Sequence, residues 1–365
     1  LFEQFPNLEE KLPYVSLCEL PTPVRKLEKL GQEIGLDHLY IKQDGLTASP
    51  FGGNKVRKLE FLLGEALRRG VKEVMTFGFA GSNHALATAV YAKQLGLKSI
   101  SMLIPQHNAH YVRRNLLMSK YCEAELHHYP NKTLLAMGTS YQLLRHRLKR
   151  GRAPYVILPG GSTPIGAVGF VNAAFELKKQ IDQKEIPEPD YIYAALGSAG
   201  TVVGLMIGLK ALKMKSKIIP IRIVGHHFID KNRVLELFSG TAALLRSLDS
   251  LFPRLDAEDV DAEMDIRDRY LGDGYAQFTE RGMEAVALMK EMEGIQLDGT
   301  YTGKTFAALM GDAREERLKG KTVLFWNTLN AGDFSTFIKD IDYHQLPKSF
   351  YGYFETEVQP LDRGM

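Results

Sequence analysis

The sequence predicts an α/β protein with mostly parallel sheets, arranged as two α/β domains. Helical and strand-like patterns alternate along most of the chain, runs such as 191–196 and 322–326 read as buried strands, and 365 residues suffice for two full-size cores.

Taken in order, Pro21-Thr22-Pro23 marks a turn, residues 24–34 have helical apolar spacing, and 38–43 reads as a strand. A loop over 44–50 leads to Gly52-Gly53-Asn54-Lys55 and a helix through Arg69. A strand at 71–77, a helix at 82–95 and a strand at 99–104 form a β-α-β unit with a right-handed crossover. Residues 109–121 and 132–149 are helical and separated by 123–129, and a strand at 155–158 ends in Pro159-Gly160-Gly161-Ser162-Thr163-Pro164. From Ile165 a helix leads to the strand at 191–196, a glycine loop at 197–201, an apolar helix at 202–212 and a strand at 218–224. The charged, irregular stretch 249–268 reads as a surface loop or short-helix region. Two helices, 281–293 and 306–319, precede a last buried strand at 322–326. Such alternation places a ligand at the carboxyl ends of the strands.

Composition narrows the class further. Hydrophobic residues make up 45% and charged residues 24%, ordinary values for a globular domain. The 46 basic and 43 acidic side chains, spread along the chain, leave a net charge of only +3, so no nucleic-acid or acidic-membrane footprint is visible and a small-molecule partner is expected. Cys18 and Cys122 are far apart, which speaks against a disulfide framework or a cysteine zinc site; no metal is expected, and a reducing, cytoplasmic location is. Residues 1–12 lack the charge and apolar pattern of a signal peptide, and no apolar stretch reaches the roughly 18 residues of a membrane span. The start at Leu1 leaves room for an upstream segment with an organelle address.

Two stretches carry chemistry. In Gly52-Gly53-Asn54-Lys55-Val56-Arg57-Lys58-Leu59-Glu60, a tight turn opens a helix whose free N–H groups and dipole favour an anion, and three cations within four residues add to that field. Burial and neighbouring cations both disfavour an ammonium, so Lys55 is a candidate Schiff-base lysine; the alternative is a solvated basic helix start. The second stretch is Gly197-Ser198-Ala199-Gly200-Thr201, between a buried strand and an apolar helix. Its spacing fits neither a dinucleotide nor a nucleoside triphosphate loop, and suits a single phosphate with Ser and Thr hydroxyls as extra donors. Together the two point to pyridoxal 5'-phosphate.

These motifs, with Ser82-Asn83-His84 and Leu297-Asp298-Gly299-Thr300-Tyr301-Thr302-Gly303-Lys304 in the same order, resemble the D-cysteine desulfhydrase and 1-aminocyclopropane-1-carboxylate deaminase family of fold type II (tryptophan-synthase-β-like) pyridoxal phosphate enzymes, over residues 15–330. The resemblance implies a larger cofactor-binding domain of residues 1–58 and 172–365, a smaller one of 59–171, the cofactor between them, and a homodimer. It makes Lys55 the cofactor lysine and base, and gives the phosphate to Lys58 and to Gly197, Ser198, Ala199, Gly200 and Thr201. Ser82 would contact the substrate carboxylate and Asn83 the ring 3-oxygen. Tyr275 and Tyr301 match the active-site tyrosines, phenols that nearby cations would acidify, while His84 is a weaker match. Thr302 and Thr328 match hydroxyl positions near the pyridine nitrogen where deaminases carry a glutamate and an apolar residue, which favours β-elimination.

The resemblance thus implies a lyase acting on a small amino acid, D-cysteine first, with aminocyclopropane-carboxylate deaminase and a cofactor-binding protein with little turnover as alternatives. Three departures stand out. Gly81 replaces a common glutamine and is expected to open space. Leu329-Asn330 replaces Gly-Gly and His226-His227-Phe228 a small polar sequence, and both are expected to add bulk near the substrate.

Overall fold

The computed structural model describes residues 1–363. Its strands are β1 (Val24–Lys26), β2 (Leu39–Gln43), β3 (Glu73–Phe79), β4 (Lys98–Ile104), β5 (Glu125–His128), β6 (Tyr155–Ile157), β7 (Tyr191–Leu196), β8 (Lys217–Arg222) and β9 (Val323–Asn327). They form a five-stranded sheet ordered β1-β2-β9-β7-β8 and a four-stranded sheet ordered β5-β4-β3-β6. All pairings are parallel except β1 with β2.

The chain divides into two units. The first comprises Leu1–Leu12, Cys18–Phe61 and Ser162–Gly332 and holds the larger sheet. Its central strand, β9, is the last in sequence, and Phe325 pairs with Ile41 on one side and Tyr193 on the other. Ile192, Ala194, Leu196, Leu324 and Trp326 enter one apolar cluster, while the intervening Tyr193, Val323 and Phe325 enter another. Alternate side chains thus feed cores on both faces, as a helix-covered parallel sheet requires. On the first face the helices Pro164–Asp182 and Gly200–Ala211 approach closely: a Cβ at Gly204 would lie 2.4 Å from that of Phe170, and one at Gly208 2.4 Å from that of Ala174.

The second unit comprises Pro13–Leu17, Leu62–Gly161 and the chain from Asp333 onward. That last segment, expected in the larger domain, is tied to the start of the His110–Tyr121 helix: Arg113 Nε donates to Tyr353 O (2.7 Å), Asn108 Nδ2 to the same carbonyl (2.9 Å), and His110 N–H to Asp362 Oδ2 (2.6 Å).

Some expected elements change. Residues 24–34 are not one helix: Val24–Lys26 pairs with β2, which requires extended backbone, and only Glu28–Glu33 is helical. The helix expected at 306–319 spans Thr302–Arg314. An 18-residue helix, Lys231–Leu248, precedes the 249–268 stretch; Asp230 caps it, and Val234, Phe238, Ala242 and Leu245 form its buried stripe. Among the described residues no helix is long and apolar enough to cross a membrane.

One buried polar network ties the first unit together. Arg57 donates to Asp44 Oδ1 (3.0 and 2.9 Å), to both Glu176 oxygens (2.9 and 3.1 Å) and to Thr22 Oγ1 (3.0 Å). Lys42 Nζ donates to Glu176 Oε1 (2.5 Å), and Trp326 Nε1 to Asp44 Oδ2 (2.7 Å). Burial pushes the Glu176 carboxyl up, but Arg57 and Lys42 overcome this and hold it down from 4.5 to about 2. A carboxylate whose folded pKa lies below its unfolded value stabilises the fold above the unfolded value and loses that contribution as pH falls through the folded one. Urea unfolding followed by fluorescence should therefore show stability falling on the order of 3 kcal/mol between pH 4.5 and about 2, through this group alone. Arg57→Met, which strands two buried carboxylates, should cost about 3–5 kcal/mol at neutral pH and flatten that acid dependence.

Candidate active site

Lys55 sits in the first turn of the helix Asn54–Arg68, and the turn before it is pinned by backbone groups. Gly53 N–H donates to Asp44 O (2.6 Å) and Asn54 N–H to Thr328 O (3.2 Å). Gly53 has φ +92°, and a Cβ there would lie 2.9 Å from Thr328 O, so only glycine suits the position. The turn is thus pressed against the carboxyl end of β9. Gly169 allows the Pro164–Asp182 helix to pack on the Lys55 helix, since a Cβ there would lie 2.0 Å from Arg57 O.

The three cations of the motif do not share one field, as the sequence suggested. Arg57 is turned into the Asp44–Glu176 network and its charge is neutralised there. Lys55 is half-buried, with no ion pair or hydrogen bond to its amine among the described residues, and burial alone pushes its ammonium down to about 8. Lys58 is fully buried and is lowered well below the usual lysine value by burial and then by Lys55. A neutral amine next to a buried cation is what the chemistry of a reactive lysine requires.

The glycine turn joins this helix start. Asn54 Nδ2 donates to Thr201 Oγ1 (3.0 Å). Ala199 adopts φ +70°, a left-handed conformation that costs a non-glycine residue energy and directs the following N–H groups outward from the helix Gly200–Ala211. Gly200 N–H (3.0 Å) and Lys58 Nζ (3.3 Å) both donate to Ser162 Oγ, whose own O–H donates to Ser198 Oγ (2.8 Å). A Cβ at Gly200 would come within 2.7 Å of Ser162 Oγ and 2.8 Å of Lys58 Nζ, so it would fill this cradle of donors.

Beside Gly197 stands the Tyr301 ring, 3.6 Å from where a Cβ would be. Its hydroxyl meets that of Tyr275 at 2.6 Å, with the rings edge to face. The Tyr275 phenol is pushed well above its ordinary value by burial and by Tyr301, the opposite of the acidification by cations that the sequence suggested. Tyr275 is held by Lys304, which donates to Leu271 O (2.7 Å) and Gly274 O (3.1 Å).

Thr302 Oγ1 donates to Asp298 Oδ2 (2.8 Å) and accepts from Asp298 N–H (2.8 Å), so its O–H is committed within the turn. Asp298 also accepts the N–H groups of Thr300 (2.8 Å) and Tyr301 (2.6 Å), which satisfies its charge locally. The Thr328 hydroxyl, largely buried, makes no hydrogen bond among the described residues.

In the second unit, Ser82 caps the helix Asn83–Gln94, its Oγ accepting from Ala85 N–H (3.2 Å) while its O–H remains to donate. Asn83 Oδ1 accepts from Asn115 Nδ2 (2.8 Å), which also donates to Gly81 O (2.9 Å) and so leaves the Asn83 amide donors turned away from Asn115. His84 is buried. Gly81 does not open space. Its Cβ position is crowded by Val112 (2.8 Å), Tyr111 (2.9 Å) and Gln106 (3.2 Å), and Gln106 Oε1 accepts the Gly81 N–H (2.8 Å).

Comparison with known proteins then decides the family. A family model described as pyridoxal-phosphate dependent enzyme matches residues 15–328. The chain belongs to the pyridoxal-phosphate dependent enzymes. It is 35% identical over 319 residues to a putative 1-aminocyclopropane-1-carboxylate deaminase of Pyrococcus horikoshii (87% of this chain, 92% of the relative). It is 32% identical over 337 residues to a D-cysteine desulfhydrase of Serratia proteamaculans (88% and 96%). A crystal structure of an ACC deaminase homologue superimposes with TM-score 0.76 at 33% identity, covering 90% of this chain and 95% of that one. A threonine deaminase isoform 2 from Solanum lycopersicum, at 15% identity and TM-score 0.57, shares the fold. The family resemblance drawn from the motifs holds, as does the two-sheet, fold type II architecture.

The residues present fit pyridoxal phosphate. The Gly200 cradle offers Lys58, a backbone N–H and two serine hydroxyls to a phosphate, and Lys55, with its depressed pKa, lies on the same helix face three residues before Lys58. Ser162, Asn54, Asn115 and Lys304 carry no role in the sequence reading. Ser162 alone had a signal, the Gly160-Gly161-Ser162 turn after β6; the other three act on groups remote in sequence.

The departures also look different in place. Asn330 does not crowd a substrate: its Oδ1 accepts from Gly52 N–H (2.6 Å) and Gly332 N–H (3.0 Å), bracing the turn before Lys55. His226 and His227 are exposed.

Two outcomes follow. In the cofactor-free protein, pyridoxal phosphate with borohydride should modify Lys55 in preference to surface lysines, and the pH profile of that labelling, read by peptide mass spectrometry, should have its midpoint near 8 because the amine reacts when neutral. Asn330→Ala leaves the Gly52 N–H without its acceptor; it should lower stability by about 1–3 kcal/mol in chemical denaturation and slow Lys55 labelling, whereas Asn330→Asp should retain the acceptor and the wild-type rate.

Proposed function

We propose that the chain is a D-cysteine desulfhydrase that releases hydrogen sulfide, pyruvate and ammonia, works in the cytoplasm and assembles as a homodimer. The observation that carries the substrate choice is the pair of hydroxyl residues, Thr302 and Thr328, where the resembled deaminases carry a glutamate and an apolar residue. Thr328 keeps an uncommitted hydroxyl, and the nearby Asp298 spends its charge on its own turn. Pyridoxal phosphate, when bound, supplies an electron sink for negative charge on the substrate α-carbon. With a hydroxyl rather than a carboxylate at the ring nitrogen that sink is shallow, enough to expel a thiolate but poorly matched to opening an unactivated ring.

Lys55 Nζ takes the α-proton, an assignment its lowered pKa supports. The Cβ–S bond then breaks with its electron pair leaving on sulfur, and water hydrolyses the released aminoacrylate to pyruvate and ammonia. Lys58 and the turn of Gly197, Ser198, Ala199, Gly200 and Thr201, with Ser162, hold the phosphate. Ser82 donates to the substrate carboxylate and Asn83 to the ring 3-oxygen. Tyr275 keeps its proton at neutral pH and passes its hydrogen bond through Tyr301, which suits the pair to orienting the substrate and returning a proton. The free thiols Cys18 and Cys122 support a reducing compartment.

The test is release of pyruvate or 2-oxobutyrate from D-cysteine, L-cysteine, D-serine, chloro-D-alanine and aminocyclopropane carboxylate. D-cysteine should exceed aminocyclopropane carboxylate in kcat/KM by about tenfold or more, a barrier difference of about 1.4 kcal/mol. Ring opening that outpaces thiol loss would return the chain to the deaminase reading.

A further inference from the structure

We propose that the outward face of the helix Lys132–Arg150 is the surface on which two copies of this chain pair, antiparallel about a two-fold axis through Tyr141. This rests on the homodimer reading and adds the place where the dimer forms.

The helix is inverted in polarity. Its inward face carries Gln142 and His146, both buried, with His146 Nδ1 2.8 Å from Glu73 Oε2 and His146 Nε2 3.3 Å from Glu125 Oε1. Only Leu135 and Leu143 reach the apolar cluster of Met75, Ile100 and Met102. Outward, Leu134 (42% exposed), Met137 (65%), Tyr141 (63%), Leu144 (56%) and Leu148 (77%) form a continuous stripe. A surface helix ordinarily has the reverse arrangement.

The spacing of 3, 4, 3 and 4 residues is that of a helix seam made for another helix. The stripe is also symmetric about Tyr141, with leucines seven residues to either side. In an antiparallel pair Leu134 meets the partner's Leu148, Met137 meets the partner's Leu144, and Tyr141 meets its own copy, which is the self-complementarity a two-fold interface needs.

Charge selects the orientation. Arg145, Arg147, Lys149 and Arg150 crowd the last six positions, the helix contains no acidic residue, and the first half has only Lys132. Parallel pairing would lay these cations side by side. Antiparallel pairing sets each cationic end over the partner's Thr133, Ala136, Gly138 and Ser140, which are small and uncharged.

The area is of the right order as well. At about 200 Å² per large side chain the five exposures amount to roughly 600 Å². That approaches the roughly 800 Å² each partner gives to a standard interface, and the aliphatic stems of the flanking Arg and Lys side chains extend it.

Sedimentation velocity and light scattering on the full chain, loaded with cofactor, test this. The unmodified protein should have the mass of two chains, and Leu144→Glu with Leu148→Glu should give one chain, the dimer dissociation constant rising about a hundredfold or more. Because both leucines are exposed, melting temperature should hardly change. In a second arm, Tyr141→Cys should form an intermolecular disulfide under mild oxidation, while Ser250→Cys, exposed on the first unit, should not.

A dimer that survives the double substitution, or a Tyr141→Cys protein that does not cross-link, would overturn this face and leave the homodimer reading standing. A single-chain mass at every concentration would overturn both. A single-chain protein that sediments with phosphatidylserine vesicles through the same leucines would make a membrane surface the occupant and overturn the pairing.

Discussion

The ion network centred on Arg57 fixes where the reactive lysine can be. Arg57 lies two residues after Lys55 on one helix, and its guanidinium is clamped between Asp44, at the end of β2, and Glu176, in the helix that crosses beneath. Rotation of the Lys55 helix about its axis would pull a buried cation away from two buried anions, so the helix has one permitted angular setting. Lys55 and Lys58 then necessarily look toward the glycine turn. Asp44 extends the constraint, since its second oxygen accepts from Trp326 on the central strand and its carbonyl accepts from Gly53. The ion pairs thereby link sheet, helix and turn, and a single cation of the motif is withdrawn from chemistry to aim the other two.

The same arrangement explains how two lysines come to differ in task. Lys58 is surrounded by donors and needs an anion to restore its charge, which a phosphate provides. Lys55 is only half-buried and has no counter-charge, which keeps its amine within reach of neutrality near physiological pH. One turn of helix separates the binding cation from the reactive amine.

Much of this was legible in the sequence because it rests on local chemistry. The glycine turns before Lys55 and at Gly197, the capping Ser82 and the α/β alternation are each written in a few consecutive residues. What was not legible depends on partners distant in the chain. Arg57 reads as one more cation until Glu176 is found opposite it, Asn330 reads as bulk until Gly52 is found bonded to it, and Gly81 reads as a gap until Tyr111 is found filling it. The acidity of Tyr275 was misjudged for the same reason: its neighbour is another phenol and not a cation. The split of residues 24–34 into strand and helix follows from pairing with β2, which overrides the helical spacing of its apolar residues.

The position of β9 bears on how the chain is made. The sheet of the second unit draws its strands from one continuous stretch, 73–157, and can pair them as they leave the ribosome. The larger sheet cannot. Its middle strand is the last to be synthesised, so β2 and β7 wait with open edges until residue 327 has emerged, and the turn before Lys55 has nothing to press against until then. A nascent chain therefore carries an unfinished catalytic half for most of its synthesis, and the amine becomes reactive only in a chain translated past Asn330, so that truncated products are kept from binding and trapping the cofactor.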